Sequence, residues 1–265
     1  MMPIKRQALP ALLPLLLASA FAADAVTGSA EAQTRLESEE TSRLSVIRQI
    51  GDVATAVSGE RAGTLPSAIE QIGTGSSVVI VQGGEDNLAS VTASEDGGRA
   101  VILQEGAGHR AGVRQSGPAA GLVVQSGAGH AARVEQDGAG GVGNSAVVLQ
   151  SGLQNTARVS QSTISGALFR GAGREEGNSV TVEQRGSFND ASSEQTGQGN
   201  SALLRQDGFN NAIGISQDGD KTIAVRQTGV GHVFRFDQMG SDTAPMVVTQ
   251  EGFSAPPVTV TRTGP

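Results

Sequence analysis

Three histidines, His109, His130 and His232, are the only imidazoles in a protein of 265 residues that has no cysteine. Each stands five residues after a glutamine, behind Gln104, Gln125 and Gln227. Imidazoles at a fixed interval could bind a metal or change charge between about pH 5 and 8. They could also do no more than donate and accept hydrogen bonds. The same slot behind other glutamines holds Asn87, Asn155, Asn189, Asn200 and Asn211, and Asn144 and Asn178 fill it once insertions are allowed for. Histidine as a hydrogen-bonding substitute for asparagine is therefore one reading, and a metal-binding or pH-sensing pair of His109 and His130 is the other.

Other chemistries lose their reagents. Without cysteine there are no disulfides, thiolate metal sites or thiol nucleophiles. Aromatics are 3%, with no Trp and no Tyr, so large rings are not the cement of the core. The net charge of −7 and pI near 5.0 argue against a nucleic-acid partner. Gly138-Ala-Gly-Gly-Val-Gly-Asn144 lacks the Lys-Ser/Thr ending of a phosphate loop and the spaced aspartates of a calcium-binding repeat. A polysaccharide-acting enzyme would need a convergent carboxylate or arginine cluster on one outward face, and none is legible. The expectation is a protein with no catalytic residue, no metal and no cofactor.

The elements that position these side chains are announced by a repeat. Glutamine recurs at Gln49, Gln71, Gln82, Gln104, Gln115, Gln125, Gln136, Gln150, Gln161, Gln184, Gln195, Gln206, Gln217, Gln227, Gln238 and Gln250, mostly in steps of 11 residues or twice that. All but Gln161 are followed two residues later by glycine, among them Gly106, Gly127, Gly152, Gly186, Gly197, Gly208, Gly219 and Gly229; Thr163 is the exception. Glu60 and Ala93 keep the phase as degenerate copies, and insertions fall around 138–143 and 166–177.

The clearest copy is Asn155-Thr-Ala157-Arg-Val159-Ser-Gln161. Its period of two places Asn, Ala, Val and Gln on one strand face and Thr156, Arg158 and Ser160 on the other. A glycine in a constant turn slot excludes a helical period and supplies the reversal. Two half-repeats make one coil, which predicts an all-β fold: a β-solenoid of about ten 22-residue strand-turn-strand coils. Amides one rung apart, about 4.7–4.8 Å, can pair carboxamide C=O with carboxamide N–H along the axis. The glutamines from Gln82 to Gln238 and the seven asparagines are the expected ladder. His109 and His130 should stack about one rung apart. Outward charges of mixed sign, such as Arg114, Arg158, Glu183 and Asp237, read as solvated faces that discourage lateral aggregation.

The pattern Gln-x-Gly-x-x-Asn-x-Ala-x-x-x-Gln resembles the curlin repeat of curli fibre subunits. Gln150 to Gln161 fits it at every defined position, as do the stretches from Gln184 to Gln195 and from Gln195 to Gln206. The resemblance covers about Ser45 to Gln250 and can be followed toward Thr261. It implies export across the outer membrane through an export channel, and assembly at the cell surface into a functional amyloid used in adhesion and biofilm. The implied partners are other copies of the same protein and a related curli subunit or nucleator. The Asn slot is variable, and no Gly- and Asn-rich leader is present, which leaves major subunit and nucleator both open. A monomeric secreted β-solenoid adhesin, binding through an outer face, is the alternative.

Residues 1–22 read as a secretory signal peptide. Lys5 and Arg6 precede an apolar run from Leu9 to Ala18 and the small-x-small Ala20-Phe21-Ala22. That run is too short for roughly 30 Å of hydrocarbon. Its removal takes the charge from −7 to −9. Residues 23–44 read as an acidic mobile segment and 45–262 as the repeat solenoid.

Overall fold

The computed structural model describes residues 75–138, 143–163, 177–239, 243–253 and 256–263 in full, together with the backbone of four strands between residues 33 and 72. The expected signal peptide lies outside the described residues. Twenty strands follow one another: β1 (Gln33–Ser38), β2 (Val46–Ile50), β3 (Thr55–Arg61), β4 (Ser67–Ile72), β5 (Ser77–Glu85), β6 (Leu88–Ser94), β7 (Arg99–Ala107), β8 (Arg110–Ser116), β9 (Ala119–Ala128), β10 (Ala131–Gly138), β11 (Asn144–Leu153), β12 (Thr156–Thr163), β13 (Ser179–Ser187), β14 (Asp190–Thr196), β15 (Ser201–Phe209), β16 (Ala212–Asp218), β17 (Thr222–Val230), β18 (Val233–Met239), β19 (Met246–Phe253) and β20 (Val258–Thr263). Odd strands form one ten-stranded sheet and even strands a second, every neighbouring pair parallel. One odd and one even strand make a coil, so the described residues form an all-β solenoid of ten coils. No helix among the described residues is long and apolar enough to cross a membrane.

Pairing keeps the repeat in register. Gln125 lies beside Gln150 and Gln150 beside Gln184 in the odd sheet, while Gln136 lies beside Gln161 and Gln161 beside Gln195 in the even one. The two inner faces meet in a narrow core of one small residue, one aliphatic and one amide per strand, as with Ala146, Val148 and Gln150 opposite Ala157, Val159 and Gln161. The insertions between Gln136 and Gln150 and between Gln161 and Gln184 do not shift this register.

Glycine at the end of the odd strands answers a steric demand as well as a conformational one. Gly127 has φ +118, and a Cβ there would lie 2.0 Å from the carbonyl oxygen of Gly152 in the next coil. The same clash recurs at Gly106, Gly152, Gly186, Gly208 and Gly229. Even-strand turns vary: at Gly117 a Cβ would lie 2.1 Å from the Gly138 carbonyl oxygen, at Gly197 the nearest backbone is 3.2 Å away, and at Gly219 nothing lies within 4 Å.

Two features go beyond the expectations. Strand β1 lies inside the stretch 23–44 and pairs with β3 in register, so the repeat begins before Ser45. Ser38 stands 11 residues before Gln49, in the glutamine position of the repeat, with Leu36 in the aliphatic position; a search keyed on glutamine passes over it. The outward faces also differ from the expected mixture of charge. Even strands alternate apolar and polar, whereas β5, β7, β9 and β11 carry Val or Leu outward as well as inward, beginning with Val79 and Val81 on β5.

Candidate functional site

The chemistry of this protein is concentrated in buried amides and imidazoles at like positions of successive coils. In the odd sheet a glutamine column runs without a break. Gln82 Nε2 donates to Gln104 Oε1 at 2.7 Å, Gln104 to Gln125 at 2.8 Å, Gln125 to Gln150 at 2.8 Å and Gln150 to Gln184 at 2.7 Å. It continues from Gln184 to Gln206 at 2.8 Å, Gln206 to Gln227 at 3.0 Å and Gln227 to Gln250 at 2.8 Å. The even sheet repeats the pattern from Gln115 through Gln136, Gln161 and Gln195 to Gln217, at 2.9–3.0 Å.

The second hydrogen of these amides crosses the core. Gln206 Nε2 donates to the Asp190 carbonyl at 3.0 Å, and Gln161 Nε2 to that of Ser145 at 3.1 Å, each on the facing sheet. One primary amide thus satisfies an axial and a transverse demand, which is what a buried polar group requires. Interruptions expose the logic. Ala93 stands where a glutamine would precede Gln115, and Gln115 Oε1 has no hydrogen-bond partner. Gln217 Nε2 likewise donates to nothing, beneath the coil in which Phe234 and Phe236 fill the inner positions.

The asparagines do not belong to that column. They sit at the turns in two columns of their own, and their principal bond along the axis is to backbone rather than amide to amide. Asn155 Oδ1 accepts the Asn189 backbone N–H at 3.0 Å, and Asn189 Oδ1 accepts that of Asn211 at 3.1 Å. Asn155 Nδ2 donates to the carbonyls of Ser151 and Gly186. Amide-to-amide pairs occur beside this, as from Asn189 Nδ2 to Asn155 Oδ1 at 3.1 Å. In the other turn column Asn144, Asn178 and Asn200 do the same, ending on the backbone N–H of Lys221, a residue only 2% exposed. Thr163, without the usual glycine, gives its hydroxyl to Asn144 Oδ1 at 2.6 Å.

The histidines replace asparagine atom for atom. Asn87 Oδ1 accepts the His109 N–H at 3.0 Å. His109 Nδ1 accepts the His130 N–H at 3.2 Å, and His130 Nδ1 accepts the Asn155 N–H at 3.1 Å. Their Nε2 atoms lie 3.1 Å and 2.9 Å from the carbonyls of Glu105 and Ser126. This assigns the Nε2–H tautomer and leaves no ring nitrogen of either free for a metal. The two rings stack with centroids 5.0 Å apart and planes within 4°. Burial holds both pKa values below the ordinary 6.5, and at His130 the neighbouring His109 adds to the lowering. Among the described residues no three His, Asp or Glu side chains gather to hold a metal ion.

Residues 176–208, which run through β13 and β14 and most of β15, match the family model of the curlin associated repeat. The protein carries the curlin repeat. No curated protein and no solved structure matches it. The curlin repeat is a structural unit, and the geometry gives its defined positions separate tasks. Gln makes the axial ladder, Gly permits backbone to approach backbone, Asn ties each turn to the next, and Ala and Val fill the space between sheets.

One feature of the outer surface is not legible in the sequence. Arg110, Arg114, Arg133 and Arg158 come together on the outer face of the even sheet, in three successive curlin coils. They are dispersed in sequence and converge because the register stacks them. Glu135 pairs with Arg133, and Asp190 with Arg158 at 3.2 Å.

Proposed function

We propose that this protein is a structural subunit of an extracellular, curli-like fibre that grows by strand addition, each subunit templating the next. In that fibre it serves adhesion and the biofilm matrix. The observation that carries this is the odd-sheet glutamine column: it runs unbroken from Gln82 to Gln250 and stops on Gln250 Nε2, a donor without a partner. A column that ends on an unmet donor favours one more rung. The curlin repeat supports the same reading, as does a terminal coil whose Phe253 is 87% exposed where Phe209, in the same column, is 48% exposed. Export through the outer membrane and a related subunit or nucleator belong to this proposal.

The test is dilution of the full-length protein from denaturant. Expected are fibres that seed fresh protein and give a meridional reflection near 4.7–4.8 Å. A protein that stays monomeric while fully folded would support the second reading, a surface-binding adhesin. That reading is favoured by one feature, the shallow groove of about 430 Å³ over the even sheet bordered by Arg110, Arg114, Arg133 and Arg158.

A further inference from the structure

A strand covered on both faces reads as a continuous apolar run, whereas a strand with one solvated face alternates. The even strands alternate, as in Ala132-Arg133-Val134-Glu135-Gln136. The odd strands of the third to sixth coils do not: Ala100-Val101-Ile102-Leu103 on β7 and Ala146-Val147-Val148-Leu149 on β11 are apolar throughout. Their inner members, such as Ile102 and Val148, are fully buried in the core. The outer members form two columns, Val79, Val101, Leu122 and Val147 beside Val81, Leu103, Val124 and Leu149, none of them fully buried. The patch stops at β13, where the second column passes to Glu183, Arg205 and Arg226.

We propose that this face is the seam along which two fibres of this protein pair laterally, related by a two-fold axis parallel to the solenoid axis. The claim rests on the fibre reading above. Such an axis lays each rung on the same rung of the partner with the columns exchanged. Val101 then meets Leu103, Leu122 meets Val124, and Val147 meets Leu149, each a Val on a Leu, while on the β5 rung Val79 meets Val81. Charge selects the same axis. Arg99 and Glu105 are exposed at opposite ends of the outer row of β7, and only the parallel axis sets each against its opposite on the partner.

Area explains why the seam belongs to fibres and not to single molecules. Four rungs of about 4.8 Å by about seven residues of 3.3 Å cover roughly 400 Å² per partner, about half of the roughly 800 Å² typical of a stable complex. In a fibre the patch recurs with every subunit, and weak contacts in series act together. Dry interdigitation of two such faces is the steric-zipper arrangement.

The test compares fibres of the full-length protein with those of Val124→Arg/Leu149→Arg. Arginine already occupies that column at Arg205 and Arg226, so the solenoid accommodates it. Mass per unit length is read by scanning transmission microscopy and rung spacing by fibre diffraction. Wild-type fibres are expected to carry twice the mass per length of the variant, with the 4.7–4.8 Å reflection and the elongation rate unchanged. Arg99→Glu should also yield single fibres, and Arg99→Glu/Glu105→Arg should restore pairs. Single wild-type fibres with an intact reflection overturn the seam and leave the fibre reading standing. So does pairing that survives Val124→Arg/Leu149→Arg, which would place the contact between fibres on another face. Absence of any fibre overturns both.

Discussion

His109 Nδ1 accepts the backbone N–H of His130, one coil away, at 3.2 Å, the bond that Asn87 Oδ1 makes to His109 itself. The two imidazoles are therefore links in a column, and a link of this kind works only while Nδ1 keeps its lone pair. Protonation would set one N–H against another.

Stability should depend on pH for that reason. Both histidines titrate below their ordinary 6.5 in the folded protein because burial disfavours the cation. Below about pH 6.5 the unfolded state binds protons that the folded state still refuses, so stability is full above that pH and falls as pH drops through the folded values. Glu105, whose backbone carbonyl meets His109 Nε2, and Arg110 beside that ring in sequence are both exposed. Urea midpoints at pH 7.5 and 5.0 should separate for the wild type, and His109→Asn/His130→Asn should remove most of that separation. An equal separation in both proteins would refute the assignment.

Gln150→Leu tests the ladder in its middle. It removes the acceptor of Gln125 Nε2 and the donor to Gln184 Oε1, along with the bond to the Ala131 carbonyl. The two glutamine groups left short, at about 1–3 kcal/mol each, predict a loss of about 2–6 kcal/mol. Ser151→Ala, next door on the outer face, should change stability by no more than about 0.5 kcal/mol. Equilibrium urea unfolding of the two variants makes the comparison.

Two glycines with positive φ should respond differently to alanine. At Gly127 a Cβ would sit 2.0 Å from backbone that cannot yield without moving a whole coil. At Gly219, φ +66, it meets nothing, and the cost is the left-handed conformation alone, about 1–2 kcal/mol. Gly127→Ala is expected to prevent folding of the neighbouring coils, seen as loss of amide-exchange protection from Gln104 to Gln184. Gly219→Ala should leave that protection intact.

Glu183 pairs with Arg185 and Arg205, the latter through Arg205 Nε at 2.7 Å, and both arginines are half-exposed. Glu183 itself is only 9% exposed, but both arginines stay in water when the pair is broken, so the pairing contributes little. Glu183→Gln should cost no more than about 1 kcal/mol by the same unfolding assay, and the difference should shrink in about 1 M salt.

The period of the glutamines is enough to predict ten coils, because a group that must pair along the axis has to recur in phase. Where glutamine is replaced, as at Ser38, the first strand escapes notice although the phase is kept. The asparagine slot is visible, but its partner is not. Amide-to-amide pairing is the natural guess from a column of asparagines, and only turn geometry shows the next backbone N–H within reach of Oδ1. The histidines carry that information in retrospect, since Nδ1 and Nε2 reproduce an acceptor and a donor but not a carboxamide. Arginines as far apart as Arg110 and Arg158 cannot be brought together without the lengths of the insertions between them.

Every bond in the glutamine columns points the same way, Nε2 toward the carboxyl-terminal end and Oε1 toward the amino-terminal end. The carboxamides therefore line up as an electric vector inside the rod. Each column turns acceptors toward its amino-terminal side and donors toward its carboxyl-terminal side, so its two ends are chemically different. Head-to-head joining would set like poles against each other, and a filament built from such rods inherits an arrow.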